Sequence, residues 1–339
     1  MIRGMAVSVP KEQVDLLDLG FDAHTMKRTM KLTGIHKVRY APKNKTALDY
    51  CTDAARHVID GTGTDKDDID GIIFVTPHPD YVYPANVGLV QRALGLQKKC
   101  IAMDINHSCT GLIYGIFEAD LLVQSGHCHN VLVCCGDTAS HHLNKRDRSL
   151  RTGTGDGGAA ILVTAGGHLS KYSFLHDGDG FEYLYTPAGG ERMPLSPGVT
   201  DQETMDEEEN WRSPQDEYMN GLEVMRFAMN EIPPLADEVL EQESWTVGDV
   251  DIFAFHQVNN LMVKNLGRAI KAPKEKILLH VDGFGNIGGG SIAVALCGSA
   301  QGNSNQWGKS LLCEFGTGMS AAVMTADFSK TWFSDVNLC

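Results

Sequence analysis

An internal repeat at an offset of about 180 residues is the feature that most constrains the fold of this chain. Residues 68–70 (DID) precede the apolar run GIIFV, and residues 249–251 (DVD) precede the apolar run IFAF. The segments VLVCCGDTAS (131–140) and LLCEFGTGMS (311–320) repeat at nearly the same offset, with a glycine and a serine in register. Two segment pairs that repeat at nearly one offset predict a duplicated fold with two related halves.

The order of predicted elements is the same in each half: helix, strand, turn, helix, strand, glycine-rich turn, strand. The helical stretch TALDYCTDAARHVI precedes GIIFV, and EVMRFAMNEIPPLADEVL precedes IFAF, with an expected interruption at Pro233-Pro234. Alternating elements with continuous apolar strands indicate buried sheets flanked by helices. We therefore predict an α/β fold in which two halves stack with helices between their sheets.

The halves are joined by a polar segment, rich in glycine and proline, that ends in the acidic run TDQETMDEEENWRSPQDE. We divide the chain into an N-terminal half at 1–170, an acidic connecting or cap segment at 171–217, and a C-terminal half at 218–339. We interpret the middle segment as a solvated surface excursion, and the alternative is a lid over a substrate tunnel.

Charge and hydropathy exclude several classes of protein. The chain of 339 residues has a formal net charge of −14, which argues against nucleic acid or an anionic membrane as its main partner. It has no apolar run of about 18 residues and no secretory signal, so we expect no membrane span and a cytoplasmic location. The nine cysteines are interpreted as reduced thiols, and their spacing predicts no metal site.

The stretch DINHSCTGLIYG places Cys109 on a turn between a predicted strand and an apolar helix. A helix N-terminus carries about half a positive charge and unpaired N–H groups, which favour a thiolate and lower a cysteine pKa. We expect Gly111, just inside the helix, to leave the approach to the sulfur open. Cys109 is therefore a candidate nucleophile, and the alternative is a structural cysteine.

Candidate partners for Cys109 lie at strand ends in the second half. His256 ends the strand DIFAF, and Asn286 lies in the turn DGFGNIGGGS after the strand ILLHV. If a pseudo-twofold axis relates the halves, these turns converge on the turn of Cys109. The turn at 283–288 also matches the dinucleotide-binding pattern G-x-G-x-x-G, but too few residues follow it to complete such a domain.

Six segments carry a resemblance to a known family: DINHSCTGLIYG, RTGTGDGGAAILV, YMNGLEVMRFA, FAFHQVNN, GFGNIGGGS and EFGTGMSAA. In wording, order and spacing the chain resembles the beta-ketoacyl-acyl-carrier-protein synthase III family of the thiolase superfamily over nearly its whole length. The resemblance implies a thiolase-like duplicated five-layer αβαβα fold and a homodimer.

The resemblance also implies a condensing enzyme of fatty acid, specialised lipid or polyketide synthesis. An acyl group would pass from CoA or acyl carrier protein to Cys109, and malonyl carrier protein would then lose carbon dioxide and attack the acyl enzyme. Neutral donors on His256 and Asn286 would stabilise the enolate, and the backbone N–H groups of Cys109 and Gly316 would form a second oxyanion hole. The expected partners are an acyl thioester and acyl carrier protein, and no metal or organic cofactor is expected.

Two further residues are assigned from the resemblance. Tyr83, in YVYPAN, matches an aromatic residue that reaches the acyl pocket of the partner subunit, and Arg148 matches an arginine near the mouth of the pantetheine tunnel. Where the family commonly has a tryptophan and an arginine that sandwich the adenine of CoA, this chain has Arg28 and Leu32. A donor on a carrier protein is therefore an open alternative. The basic residues within 264–276 suit an acidic carrier protein, or form a solvated helix face.

Two other functions stay open. An acyltransferase or thioester hydrolase of the same fold would use acyl-Cys109 without forming a carbon–carbon bond. A non-catalytic subunit of a heterodimeric synthase would form no acyl enzyme. His256 and Asn286 favour condensation, because decarboxylation needs that pair. His107, two residues before the cysteine, has no assigned role.

Overall fold

Two large sheets with helices on their faces form the core of the computed structural model, which describes residues 1–300 and 306–339. The helices are α1 (Ala23–Thr33), α2 (Ala47–Thr62), α3 (Val87–Leu94), α4 (Gly111–Gln124), α5 (Arg148–Arg151), α6 (Gly221–Glu243), α7 (Asn260–Ala269) and α8 (Ser291–Ala300). The strands are β1 (Ile2–Val9), β2 (Val14–Asp15), β3 (Lys37–Val38), β4 (Gly71–Val75), β5 (Ile101–Ile105), β6 (Asn130–Asp137), β7 (Gly157–Thr164), β8 (Tyr172–His176), β9 (Leu184–Tyr185), β10 (Thr204–Met205), β11 (Trp211–Arg212), β12 (Tyr218–Met219), β13 (Ile252–Phe255), β14 (Ser310–Gly316), β15 (Ser320–Ala326) and β16 (Trp332–Leu338). Within the described ranges, no helix combines the length and the apolar character that crossing a membrane requires.

The two large sheets repeat one strand order. The first sheet runs β16-β1-β7-β6-β4-β5, and the second runs β13-β14-β15-β8. The strands β1-β7-β6-β4 correspond to β8-β15-β14-β13, with the same sequence of antiparallel and parallel pairings. Beside β13, Phe253 forms a parallel bridge with Ile277, at the place that β5 occupies in the first sheet. The predicted duplication is therefore confirmed.

Side chains alternate between the two faces of each sheet, and both faces are apolar. On β6, Leu132 packs with α2, whereas Val131 and Val133 pack with α4 and α8. On β13, Phe253 packs with α6, whereas Ala254 faces α4 and α8. The layers are therefore α2, first sheet, α4 with α8, second sheet and α6. This arrangement confirms the predicted five-layer αβαβα fold.

Helix α6 runs from Gly221 to Glu243 without a break, so the predicted interruption at Pro233-Pro234 is wrong. A proline inside a helix removes a backbone N–H and weakens the helix. Here the apolar side chains around the prolines, including Ile232 and Ala236, are buried against the second sheet. This tertiary packing maintains the helix through the prolines.

The segment between the halves begins in the second sheet and then forms two small two-stranded sheets. Strand β8 lies in the second sheet, and β16, from the end of the chain, lies beside β1 in the first. Strand β9 pairs with β12, and β10 pairs with β11. The domain boundaries drawn at 170 and 217 stay a prediction.

Candidate active site

Cys109 lies on the turn between β5 and α4, and its side chain is buried. The Ser108 carbonyl accepts the Gly111 N–H at 2.9 Å, which fixes the start of the helix. The sequence suggested that Gly111 leaves the approach to the sulfur open, and this expectation is wrong. A Cβ on Gly111 would come within 2.7 Å of Val75 Cγ1, so this glycine instead lets α4 pack closely on the first sheet.

The thiol of Cys109 is held in its protonated form. Burial raises its pKa to about 12, and the carboxylates of Glu217 and Asp137 act in the same direction. The Ser108 hydroxyl and the Thr317 N–H act in the opposite direction but do not compensate. The expected lowering of the Cys109 pKa by the helix start is therefore wrong, because burial outweighs it.

The end of β14 lies directly against Cys109. A Cβ on Gly316 would come within 2.5 Å of Cys109 Sγ, so only a glycine fits there. The N–H of Thr317, one residue further, interacts with the thiol and lowers the pKa of Cys109. The role of the Gly316 N–H stays a prediction, and Thr317 is a donor that the sequence analysis missed. The sequence does not determine which N–H of a glycine-rich turn faces the sulfur.

His256 follows β13 and has 1% of its surface exposed. Its Nδ1 lies 2.8 Å from Ser291 Oγ, and the same oxygen accepts the Gln257 N–H at 3.3 Å. The Ser291 hydroxyl can donate its own proton to Nδ1, which fixes one tautomer of the ring. The proton of the imidazole is then on Nε2.

The Nε2 atom of His256 is a buried donor without a hydrogen-bond partner anywhere in residues 1–300 and 306–339. Burial lowers the pKa of His256 to about 3, so the ring is neutral at physiological pH. The site therefore presents a neutral N–H donor that no protein group in the described residues uses.

Asn286 is held by its backbone and has one free end. Its N–H donates to the Gly153 carbonyl at 2.8 Å, and its carbonyl accepts the Gly155 N–H at 2.9 Å. The side-chain Oδ1 accepts the Gly288 N–H at 3.0 Å. The amide nitrogen is thus the end of the side chain that is available to a substrate.

The glycine triplet after Asn286 lies against the turn of Cys109. A Cβ on Gly289 would come within 2.7 Å of the Ser108 carbonyl oxygen, so the close approach of the two turns requires glycine. Ser291 follows the triplet directly, and its hydroxyl contacts the imidazole of His256. The structure therefore brings together the cysteine, the histidine and the asparagine that the sequence places at separate strand ends.

A cavity of about 740 Å³, which we call the large cavity, opens beside Cys109. Its lining includes Ser108 and Thr317, the two residues whose polar groups contact the sulfur. One part of the wall is apolar and includes Val82, Phe181, Leu184 and Leu195. The other part carries imidazoles and a carboxylate, from His78, His107, His142, His176 and Glu217.

Part of the polar wall is a connected cluster. His78 Nδ1 lies 2.8 Å from Asp137 Oδ1, and the His78 ring stacks on His142 with 3.9 Å between the ring centres. The Glu217 N–H donates to the His142 carbonyl at 3.3 Å. Sequence analysis missed this cluster because its members come from three separate segments of the chain.

The cluster has perturbed pKa values. Burial raises the pKa of Glu217 to about 7, and Asp137 adds to this effect. Burial and the neighbouring His78 lower the pKa of His142 to about 4. Burial lowers the pKa of His78, but its ion pair with Asp137 more than compensates, so that this pKa is raised. Perturbed groups of this kind are typical of functional sites.

His107 has a structural explanation that the sequence did not provide. Its Nδ1 lies 3.0 Å from Thr110 Oγ1, and its ring stacks on Tyr114 with 4.3 Å between the ring centres. Burial lowers the pKa of His107, and His176 acts in the same direction. His107 therefore braces the start of α4 and forms part of the wall of the large cavity.

Tyr83 does not line the large cavity of its own chain. It is 88% exposed, and its neighbours Tyr81 and Val82 are also exposed. Asn86 holds this loop by donating its N–H to the Asp104 carboxylate at 2.5 Å. The contact of Tyr83 with a partner subunit stays a prediction.

Arg148 lies in a smaller cleft of about 340 Å³, which we call the arginine cleft. The Arg146 guanidinium lies over the Trp211 ring, 4.2 Å from its centre, and pairs with Glu203. Part of the acidic segment is thus folded against these arginines. Sequence analysis missed Trp211, which stands within an acidic run. Helix α5 leads from Arg148 directly into the loop that brackets Asn286.

The chain is similar in sequence to proteins of one known family. The family model described as 3-Oxoacyl-[acyl-carrier-protein (ACP)] synthase III matches residues 103–178, and the model of its C-terminal part matches residues 240–328. A beta-ketoacyl-[acyl-carrier-protein] synthase III from Caldanaerobacter subterraneus is 33% identical over 302 residues, which cover 88% of each chain.

Solved structures of similar proteins have the same fold. A crystal structure of a 3-oxoacyl-(acyl-carrier-protein) synthase III superposes with a TM-score of 0.92 at 32% identity, over 96% of this chain and 99% of the other. A 3-oxoacyl-(acyl-carrier protein) synthase from Burkholderia xenovorans superposes with a TM-score of 0.91 at 28% identity, over 100% of this chain and 96% of the other. The chain therefore belongs to the beta-ketoacyl-[acyl-carrier-protein] synthase III family of condensing enzymes, as its motifs predicted.

Proposed function

We propose that the chain makes a 3-oxoacyl thioester through an acyl-Cys109 intermediate. The thiol of Cys109 attacks the carbonyl of an acyl thioester, and the carrier, CoA or acyl carrier protein, leaves as a free thiol. Malonyl carrier protein then loses carbon dioxide, and its enolate carbon attacks the acyl carbonyl. The bond to the cysteine sulfur breaks, which releases 3-oxoacyl carrier protein and regenerates the thiol.

The pair of free donors on His256 and Asn286 is the observation that carries the proposal. As carbon dioxide leaves, negative charge develops on the malonyl thioester oxygen, and donors that are already oriented stabilise it. The buried Nε2–H of His256 has no protein partner, and the ring is held neutral. The amide nitrogen of Asn286 is the free end of its side chain. Hydrolysis of an acyl enzyme would not need this pair.

A second negative charge arises when the enolate attacks the acyl carbonyl. We assign it to the backbone N–H groups of Cys109 and Gly316, with Thr317 as a further donor beside the sulfur. Loss of one such donor typically raises the barrier by about 2.7–4 kcal/mol. The reaction needs acid, base and hydrogen-bond chemistry only, so the proposal includes no metal or organic cofactor.

Exposed cations on α1 and α7 form a surface that fits an acidic carrier protein. The end of α1 touches the start of α7, since a Cβ on Gly34 would collide with the Asn260 side chain. Lys276, by contrast, donates to two backbone carbonyls and is not free for a partner. The exposed cations, none of which forms an ion pair in the described part of the chain, are Lys27, Arg28, Lys31, Lys264 and Arg268. We assign this surface and the arginine cleft to the carrier.

A homodimer is part of the proposal. Strand β5 is an edge strand of the first sheet, and Ala102 and Asp104 on it are exposed. The exposed loop of Tyr81, Val82 and Tyr83 precedes it. An exposed edge strand beside exposed aromatic side chains is suited to pairing with a second copy of the chain.

Intact-protein mass spectrometry tests the acyl enzyme. The protein is incubated with a panel of acyl-CoA and acyl-carrier-protein thioesters, and the adduct is mapped by peptide sequencing. We expect an acyl adduct on Cys109 with at least one donor, and none in Cys109→Ala. Addition of malonyl carrier protein should then yield the 3-oxoacyl product.

Two outcomes would contradict the proposal. If no donor acylates Cys109, or if Cys109→Ala still condenses, the cysteine is not the acyl carrier. If the adduct turns over at the same rate with and without malonyl carrier protein, the chain is an acyltransferase or hydrolase of this fold.

A further inference from the structure

Glu217 faces the large cavity with an unused carboxylate. Its backbone N–H is bonded to the His142 carbonyl, but no hydrogen bond to its side chain is found within residues 1–300 and 306–339. The other carboxylate of the cluster, Asp137, is paired with His78 at 2.8 Å. Glu217 is thus the carboxylate of this cluster that no protein group in the described residues pairs with.

A carboxylate in this position disfavours a purely alkyl ligand. An alkyl group placed against Glu217 would displace water from the carboxylate and supply no hydrogen bond in exchange, which is unfavourable for a buried polar group. The positive charge that His78 can carry is already directed at Asp137. A ligand that brings its own donor would satisfy Glu217 instead.

The rest of the cavity wall fits the remainder of such a ligand. Val82, Phe181, Leu184 and Leu195 provide an apolar surface for methylene groups. Ser108 and Thr317, at another part of the wall, contact the sulfur of Cys109. The large cavity therefore joins the nucleophile, an apolar wall and a polar wall.

The cavity is separate from the route we assign to the carrier. Its lining does not include His256, Asn286 or Arg148. Arg148 instead lies in the arginine cleft, on the element that leads to the loop bracketing Asn286. With the carrier on that side, the large cavity is left for the acyl group.

We propose that the large cavity selects an acyl group that carries a hydrogen-bond donor, a hydroxyl or an amine, which Glu217 accepts. The proposal rests on the function proposed above, because it requires the acyl group to be attached to Cys109. A site built to bond a polar group discriminates strongly against the analogue that lacks it, because the protein group is then left unpaired.

The test compares acyl groups that differ only in the donor. Butanoyl, 3-hydroxybutanoyl and 3-aminobutanoyl thioesters of pantetheine are mixed with the protein, and the rate of acyl-Cys109 formation is followed by intact mass. At about pH 8.5, where Glu217 with its pKa of about 7 is ionised, we expect one or both of the donor-bearing groups to load at least about tenfold faster than butanoyl, as a hydrogen bond to a charged group provides. If butanoyl loads as fast or faster, the proposal is wrong.

Two variants of Glu217 assign the preference to its carboxylate. Glu217→Leu should lose the preference and load butanoyl faster than the wild type does. Glu217→Gln keeps an acceptor but not the charge. It should therefore retain much of any preference for the hydroxyl-bearing group over butanoyl and lose any preference for the ammonium-bearing group. Glu241→Leu, an exposed carboxylate on α6 outside the cavity, should retain the wild-type ratio. An unchanged ratio in both Glu217 variants would contradict the proposal.

Failure of this inference is distinguishable from failure of the proposed function. If no thioester in the panel acylates Cys109, the acyl-enzyme mechanism fails and the inference fails with it. If all three acylate Cys109 without preference, the mechanism stands and only the selectivity is refuted. The wild-type comparison needs no variant, so it holds even if Glu217→Leu folds poorly.

Discussion

At the scale of single residues, one hydroxyl decides which nitrogen of His256 carries the proton. The Ser291 hydroxyl lies 2.8 Å from Nδ1, and when it donates its proton to that nitrogen the ring carries its own proton on Nε2. This leaves Nε2–H as the donor toward the substrate. Ser291 is therefore a positioning residue for the decarboxylation step.

Replacing Ser291 should separate the two steps of the reaction. In Ser291→Ala, a fraction of the rings should carry the proton on Nδ1, so we expect condensation to slow by about 10- to 100-fold. Loading of Cys109, which does not use the imidazole donor, should change little. The control is Ser310→Ala, which removes another buried hydroxyl, one that donates to the Trp307 carbonyl at 3.2 Å. Equal losses in loading and condensation would contradict the assigned role.

The buried neutral His256 should make the protein sensitive to acid. Its pKa is about 3 in the folded state and about 6.5 when unfolded, so the unfolded state alone takes up the proton as pH falls. The stability is fully present above pH 6.5 and is lost progressively below it. Between pH 7 and pH 5, we expect the wild type to lose about 2 kcal/mol more unfolding free energy than His256→Asn does.

Urea unfolding of both proteins at pH 5 and pH 7 measures this difference. Titration of other groups contributes to both proteins and cancels in the comparison. The same pH dependence in wild type and variant would show that the ring is not held neutral by burial.

Sequence identified the reactive residues and, through the family resemblance, the neutral state of His256, but not the raised pKa of Cys109. Cys109, His256 and Asn286 could be chosen because each follows a predicted strand in a duplicated plan. The raised pKa of Cys109 depends on burial and on carboxylates from distant segments, which no local pattern reports. The same holds for Glu217, whose neighbours in the cavity come from other parts of the chain.

At the scale of elements, glycines set how closely the catalytic turns approach. The turn after Asn286 touches the turn of Cys109 through Gly289, and the end of β14 touches the cysteine through Gly316. Sequence analysis correctly identified Gly111 as a position that requires glycine, but it gave the wrong reason. There the glycine accommodates Val75 on the sheet and does not open the path to sulfur.

Adding a methyl group at Gly289 should move the two turns apart. In Gly289→Ala the new Cβ would lie 2.7 Å from the Ser108 carbonyl, so we expect a loss of about 1–3 kcal/mol in unfolding free energy and at least tenfold slower condensation. Gly248→Ala is the control, because its nearest neighbour would be 3.6 Å away. Thermal unfolding and product formation check both variants. Wild-type condensation in Gly289→Ala would contradict the role of the contact.

At the scale of the whole molecule, duplication places the functional groups of both halves at one place. The strands β4 and β6 of the first half and β13 and β14 of the second have the same pairing, so the ends of their sheets carry equivalent turns. This symmetry could be predicted from the repeat. The large cavity could not, because loops from both halves and the connecting segment line it.

The proposed homodimer predicts an effect of the exposed loop beside β5. A charge at Tyr83, which is 88% exposed in the single chain, should disrupt an interface built there. We expect sedimentation velocity to give twice the chain mass of 36.9 kDa for the wild type and a monomer for Tyr83→Asp. Leu169→Asp, exposed elsewhere, should stay dimeric. A monomeric wild type would refute the dimer.

A single turnover of isolated acyl enzyme tests the central claim most directly. Protein loaded on Cys109 with a ¹³C-labelled acyl group is freed of donor and mixed with malonyl carrier protein, and the adduct, carbon dioxide and product are followed together. The account predicts that the adduct disappears as one carbon dioxide and one labelled 3-oxoacyl carrier protein form per acyl group, and that His256→Ala retains the adduct. Release of the label as free acid without carbon dioxide would contradict it.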